Sequence, residues 1–132
     1  MSVRLTQVTI VVKDQQAALD FYTQKVGFDK KTDYSPQGLP RWVTVGPKGQ
    51  DIEISLFQHG TRGGDGTPAD TLPPGNGRFV LTVEDCAKVV EDLRSRGVPL
   101  HPDKATEEAW GTYSGFSDPD GNRFTILQPR KW

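Results

Sequence analysis

The chain has 132 residues, 16 basic and 17 acidic side chains, and a formal net charge of −1 at pH 7. Nearly equal numbers of basic and acidic residues do not indicate the basic surface of a nucleic-acid-binding protein. The single cysteine, Cys86, excludes an internal disulfide and a cysteine-rich zinc site. No apolar run in the sequence has the length of a signal peptide or a membrane span, so we expect a cytoplasmic protein that does not associate with membranes.

The first part of the chain, about residues 1–57, contains one helical and four strand-like patterns. Apolar and polar side chains alternate along residues 5–12, which predicts a strand. Asp14 is a suitable N-cap for a helix that starts at Gln15, and Gly27 can end that helix in the left-handed conformation. Further strands are predicted near 28–34, 41–46 and 51–57, which gives the order β-α-β-β-β.

The last part of the chain, about residues 78–132, repeats this order. Val12-Lys13-Asp14 recurs as Val83-Glu84-Asp85, and Gly46-Pro47-Lys48-Gly49 recurs at almost the same spacing as Asp118-Pro119-Asp120-Gly121. Such a repeat indicates two copies of one supersecondary unit, and about 60 residues are too few for either copy to be stable alone. We therefore expect a single domain over residues 1–132. The predicted elements of this half are a helix between Asp85 and Gly97 and strands near 78–83, 98–101, 111–117 and 123–128.

Residues 58–77 separate the two copies. They include six glycines and three prolines, and they show no apolar periodicity. A stretch of this length without secondary structure is uncommon inside a compact domain. We interpret it as a connector between two modules, with a mobile flap as the alternative.

Several motifs in order along the chain carry a family resemblance; they are Val8–Asp14, Phe21-Tyr22, Val26-Gly27-Phe28, Arg94–Val98 and Asp118–Phe124. Together they resemble the vicinal oxygen chelate superfamily, which includes glyoxalase I, extradiol dioxygenases, fosfomycin resistance enzymes and bleomycin-binding proteins. The resemblance implies an α+β fold in which two βαβββ modules form a curled, cup-shaped mixed sheet with the helices on its outer face. It also implies a homodimer that completes the cup, and the free edges of two such sheets favour the same assembly.

Metal-dependent members of this superfamily hold a divalent ion with side chains from the first and last strand of each module. The corresponding positions are Gln7, Glu53, Arg78 and Thr125. Glu53 suits a hard cation and Gln7 is a usable neutral ligand. Arg78 cannot deprotonate, so it cannot bind a metal and it repels a dication. We therefore predict no metal ion and no other cofactor.

Alternation along the strands predicts which side chains line the cup. Arg78 and Glu53 would face each other there, where the arginine either neutralises the carboxylate or binds an anionic group of a ligand. Trp42 and Trp110 are candidates for the rim, because pockets for small molecules are mostly apolar with a few polar groups. The predicted ligand-binding residues are Gln7, Thr9, Trp42, Glu53, Ser55, Phe57, Arg78, Trp110 and Thr125.

These residues favour the metal-free binding of a small aromatic or anionic molecule in the cup, as in the bleomycin-binding branch. The alternative is a divergent lyase, isomerase or epimerase with Glu53 as its catalytic general base. That role requires a pKa raised toward neutrality by burial, whereas a nearby Arg78 would lower the pKa. A metal-dependent enzyme of the glyoxalase or dioxygenase type ranks third, because half of its ligand set is missing.

Overall fold

The structure, a computed structural model, describes residues 2–38, 40–61 and 73–131. Residues 62–72 of the predicted connector lie outside this range, so the choice between linker and flap stays a prediction. No helix within the described residues is long and apolar enough to cross a membrane. The elements are β1 (Gln7–Val12), α1 (Gln15–Asp20), β2 (Asp29–Tyr34), β3 (Trp42–Gly46), β4 (Glu53–Gln58), β5 (Arg78–Thr82), α2 (Cys86–Ser95), β6 (Thr106–Glu108), β7 (Gly111–Ser117) and β8 (Arg123–Pro129).

The strands form two four-stranded mixed sheets with the same topology. Module 1 has the strand order β1-β4-β3-β2, and module 2 has the order β5-β8-β7-β6. In each sheet the first pair is parallel and the other pairs are antiparallel. Helix α1 packs on β3 and β4, and α2 packs on β7 and β8. The predicted α+β fold of two curled βαβββ modules is confirmed.

One hydrophobic core joins the two modules. In the strands of the parallel pairs, every second residue is apolar and lies beneath the helix of its module. This alternation is typical of a strand with one buried face. Tyr22, at the end of the first helix, contacts both Phe28 of its own module and Phe124 of module 2. The largest fully buried side chains include Tyr22, Phe116, Phe124, Ile10, Leu56 and Ile126.

Both helices begin at the predicted caps. The carboxylate of Asp14 accepts from the Ala17 amide at 3.0 Å, and that of Asp85 accepts from the Lys88 amide at 3.1 Å. Each cap satisfies a backbone donor that the first helical turn leaves unpaired.

The two helices end differently, because the first contains one extra residue. Helix α1 continues as a π-helical segment over Phe21–Val26. After it, the Phe28 amide donates to the Tyr22 carbonyl, six residues back, whereas the Val98 amide donates to the Leu93 carbonyl, five residues back. The matching hydrogen bonds make Leu93 the equivalent of Tyr22. A π-helical segment accommodates one added residue within a helix.

The predicted strand near 98–101 is wrong. The strand of module 2 that follows α2 is β6, at Thr106–Glu108. Pro99 and Pro102 lack the backbone N–H that a strand ladder needs. In this segment the Val98 amide closes the end of α2, and the His101 amide donates to the Gly115 carbonyl of β7 at 2.8 Å.

Candidate functional site

Module 1 presents a polar face on the side of its sheet away from α1. Gln7 lies beside Glu53 in the ladder, and Thr9 lies beside Ser55. Thr44 lies opposite Ser55 on the next strand. The structure therefore brings four of the predicted ligand-binding residues into two neighbouring rows and adds Thr44, which alternation along β3 could have identified.

Glu53 is the charged centre of this face. Its Oε1 atom accepts hydrogen bonds from Thr44 Oγ1 at 2.6 Å and Thr32 Oγ1 at 3.0 Å. The hydrogen bond from Thr44 lowers the pKa of Glu53 below its ordinary value, with further lowering by Thr32 and Gln7, and this outweighs the opposing effect of partial burial. The arrangement stabilises the carboxylate.

An aromatic row lies next to these polar rows. Trp42 is paired with Tyr34 in the β2–β3 ladder. The pairing of Thr44 with Ser55 places Trp42 opposite Phe57, two residues further along each strand. Trp42 is 37% exposed and Tyr34 is 62% exposed. Sequence reasoning missed Tyr34, although its position at the end of β2 follows once the register of the hairpin is known.

The corresponding face of module 2 has a different set of polar residues. Arg78 lies beside Arg123, and Thr125 lies one row further on, beside Val80. Thr125 therefore lies one row away from the Arg78–Arg123 pair, although it shares a face with Arg78, and its family role as the counterpart of Glu53 stays a prediction. Eight residues (46–53) separate the paired Val45 and Ile54, but only seven (117–123) separate the paired Phe116 and Phe124. The shorter turn shifts β8 and brings a second arginine to this row.

Arg78 and Glu53 do not form the predicted ion pair. Arg78 is exposed and its guanidinium donates to the carbonyls of Gly77 at 2.9 Å and Gly75 at 3.4 Å. Glu53 instead bonds to the threonines of its own sheet. Within one chain Arg78 does not neutralise Glu53, and its contact with an anionic ligand stays a prediction.

Trp110 lies at the turn that precedes β7. It is 50% exposed and packs on Tyr113, with the ring centroids 4.9 Å apart. The other end of β7 is Ser117, which pairs with Arg123. Since a strand rises about 3.3 Å per residue, Trp110 lies about 20 Å from the arginine pair along the strand. The structure does not bring Trp110 to that pair.

The donor atoms at the four family positions do not fit a divalent metal ion. Two of the positions hold the neutral Gln7 amide and the cationic Arg78, and the Glu53 oxygen is already shared by two hydroxyl donors. Within the described residues, no three His, Cys, Asp or Glu side chains converge on one point.

The chain matches the model of the Glyoxalase/Bleomycin resistance protein/Dioxygenase superfamily over residues 4–126 and belongs to that family. It is similar to the crystal structure of TnmS3, an antibiotic binding protein from Streptomyces sp. CB03234, with 35% identity, a TM-score of 0.80 and 98% of each chain covered. A superfamily member from Sphaerobacter thermophilus DSM 20745 is 32% identical with a TM-score of 0.79, covering 96% of this chain and 98% of that one. The Bacillus subtilis protein YurT is 33% identical over 129 residues, which cover 95% of this chain and 98% of YurT.

Proposed function

We propose that this protein binds a small anionic aromatic molecule without a metal ion, and that two copies of the chain complete the cup. The observation that carries the proposal is the arginine pair of module 2, where Arg78 and Arg123 occupy adjacent positions on one face of the sheet. Guanidinium groups bind carboxylate and phosphate groups with directed, charge-assisted hydrogen bonds. The Arg123 guanidinium donates to the His101 carbonyl at 2.5 Å, and that of Arg78 donates to the two glycine carbonyls described above. An anionic ligand that binds both guanidinium groups would take the place of these backbone acceptors.

The aromatic row of module 1 supports the aromatic part of the ligand. Trp42 and Tyr34 expose ring surface beside the polar residues of the same sheet. Exposed ring faces with a few convergent polar groups are typical of small-molecule pockets. The likeness to TnmS3, an antibiotic binding protein, also supports a binding role.

The hydrogen bonding of Glu53 favours binding over general-base catalysis. A general base is most effective when its pKa is close to the working pH. The pKa of Glu53 is instead lowered, first by its hydrogen bond from Thr44. The carboxylate is therefore a weak base suited to accept hydrogen bonds, which argues against a lyase, isomerase or epimerase that depends on Glu53.

The dimer is supported by open sheet edges. In the described part of the chain, β1 and β5 are edge strands of their sheets. A second copy that pairs along the edge of β1 would cover that edge and close the cup.

Calorimetric titration with 2-naphthoate tests the ligand class. We expect Arg78→Gln and Arg123→Gln each to weaken binding about tenfold, because each removes a charge-assisted hydrogen bond. Arg4→Gln is the matched control, since Arg4 pairs with Asp51 at an exposed site. Equal affinities in the three variants would contradict the proposed contact.

Elemental analysis of protein purified without chelator tests the metal-free proposal, together with titration by nickel, zinc and manganese. We expect no stoichiometric metal and no micromolar binding, because the four family positions supply one carboxylate. One bound ion per chain would overturn the proposal. Light scattering tests the dimer, and a monomeric mass at all concentrations would overturn that part alone.

A further inference from the structure

The two modules meet at two places that the repeat relates. At the first junction, the Tyr22 hydroxyl donates to Asp118 Oδ2 at 2.7 Å. The Asn122 side-chain amide donates to the same oxygen at 2.8 Å and to the Val11 carbonyl at 3.4 Å. All four residues are buried.

The second junction has none of these polar side chains. Leu93 is equivalent to Tyr22, as the backbone hydrogen bonds at the ends of the two helices show. The repeat that aligns Val12 with Val83 makes Thr82 the equivalent of Val11. The repeat of the two Pro-containing turns makes Gln50 the equivalent of Asn122. Leucine lacks both the ring and the hydroxyl of tyrosine. A cavity of about 470 Å³ lies at this place.

The side chains that line this second-junction cavity are mostly apolar and none is charged, while polar atoms supply about half of the lining surface. Nine of its eleven lining residues are apolar, and neither of the other two, Gln50 and Thr82, is ionisable. Its volume lies within the range of about 300–1,000 Å³ that small-molecule sites occupy. The apolar members include Val26, Phe28, Val80, Val89, Leu93 and Phe116.

The edge of β5 adds backbone hydrogen-bonding groups to the cavity. The Gly77 carbonyl and the Val83 amide both bond to β8. Because backbone groups alternate in direction along a strand, the amide and carbonyl of Val80 and Thr82 point to the free edge. The Thr82 carbonyl corresponds to that of Val11, which accepts from Asn122, yet among the described residues no side chain donates to it.

We propose that the second-junction cavity binds a small uncharged ring compound that carries one hydrogen-bond donor, such as a phenol. The ring would occupy the space that the Tyr22 side chain fills at the first junction, and its hydroxyl would donate to the Thr82 carbonyl. This site is separate from the proposed cup ligand, because no arginine or carboxylate lines it.

Fluorine NMR titration of the full chain with 4-fluorophenol tests this proposal. Leu93→Tyr places at the second junction the side chain that fills the first, so we expect the dissociation constant to rise at least tenfold. Val80→Phe enlarges a side chain that lines the cavity. Because Val80 is 62% exposed, we expect this variant to fold. We expect at least threefold weaker binding in that variant.

Val3→Phe is the matched control, because it makes the same exchange at a residue that is 77% exposed and does not line the cavity. We expect it to leave 4-fluorophenol binding unchanged. Arg78→Gln should also leave it unchanged while it weakens 2-naphthoate, which separates this proposal from that of the cup. Undetectable binding to the natural protein, or equal affinity in Val80→Phe and Val3→Phe, would overturn the inference.

Discussion

The first junction and the second junction occupy repeat-related places but are built from opposite kinds of side chain. Tyr22, Asp118 and Asn122 fill the first with a buried hydrogen-bond network. Leu93 and its apolar neighbours leave a cavity at the second. The caps at Asp14 and Asp85 are nevertheless the same. The repeat thus keeps the residues that define each module and differs in those that point between the modules.

The sheet faces differ in the same way. The Gln7–Glu53 row of module 1 carries a carboxylate, and the Arg78–Arg123 row of module 2 carries two guanidinium groups. Strand geometry needs only alternation, so side chains on the open face can change without loss of the fold. This freedom allows one scaffold to hold different ligands.

Asp118→Ala is expected to have the largest effect, because it breaks the first junction. Asp118 accepts from the Tyr22 hydroxyl, the Asn122 side chain, and the amides of Asp120 and Asn122. Its loss leaves a buried hydroxyl and a buried amide unpaired, at about 1–3 kcal/mol each. We expect the free energy of unfolding in urea to fall by about 3 kcal/mol.

Lys48→Ala is the control for this experiment, because it changes the repeat-related turn of module 1. Lys48 pairs with Asp29 at an exposed site. Exposed ion pairs contribute at most about 1 kcal/mol. If both variants lose the same stability, the buried network does not stabilise the junction.

Glu53→Gln tests the polar face of module 1 through its pH dependence. The folded-state pKa of Glu53 is lowered, chiefly by the hydrogen bond from Thr44, so the stability that it adds is present above the ordinary glutamate pKa of about 4.3. This contribution is lost as the pH falls through the lower, folded-state pKa. We expect the free energy of unfolding of the natural protein to exceed that of Glu53→Gln by at most about 1 kcal/mol near neutral pH. We expect this difference to shrink below about pH 4.

Carbon NMR of the Glu53 carboxyl group measures the same pKa directly. Thr44→Val removes the strongest of its hydrogen bonds, so we expect the pKa to rise toward the ordinary value in that variant. A pKa at or above the ordinary value in the natural protein would contradict this account and favour Glu53 as a general base.

The sequence predicted the modules well because local patterns determine them. Caps and alternation specified β1, α1 and α2, and the structure confirms these elements. The residue that lies beside Arg78 in the ladder, Arg123, could not be predicted, because the register depends on the length of the turn before β8. The cavity was also beyond local patterns, since it lies where residues of both modules meet.

Deletion of Gln24 is expected to have the smallest effect, and it sharpens the comparison of the two helices. Gln24 is exposed and lies within the π-helical segment, between Tyr22 and Phe28. Without it, the Phe28 amide would reach back five residues, as Val98 does to Leu93. We expect the free energy of unfolding to change by less than about 1 kcal/mol, because a regular turn replaces a π-helical one.

Deletion of Glu91, which is exposed on the regular helix α2, is the matched control. There a missing residue rotates the remainder of the helix by about 100°, so Leu93 and the helix end would leave their buried positions. Burial of a leucine contributes about 2 kcal/mol or more, and we expect the urea midpoint to fall clearly in this variant only. Equal losses in the two deletions would mean that the extra residue of the first helix is required for the packing of Tyr22 and Phe28, and that the two helices are not versions of one element.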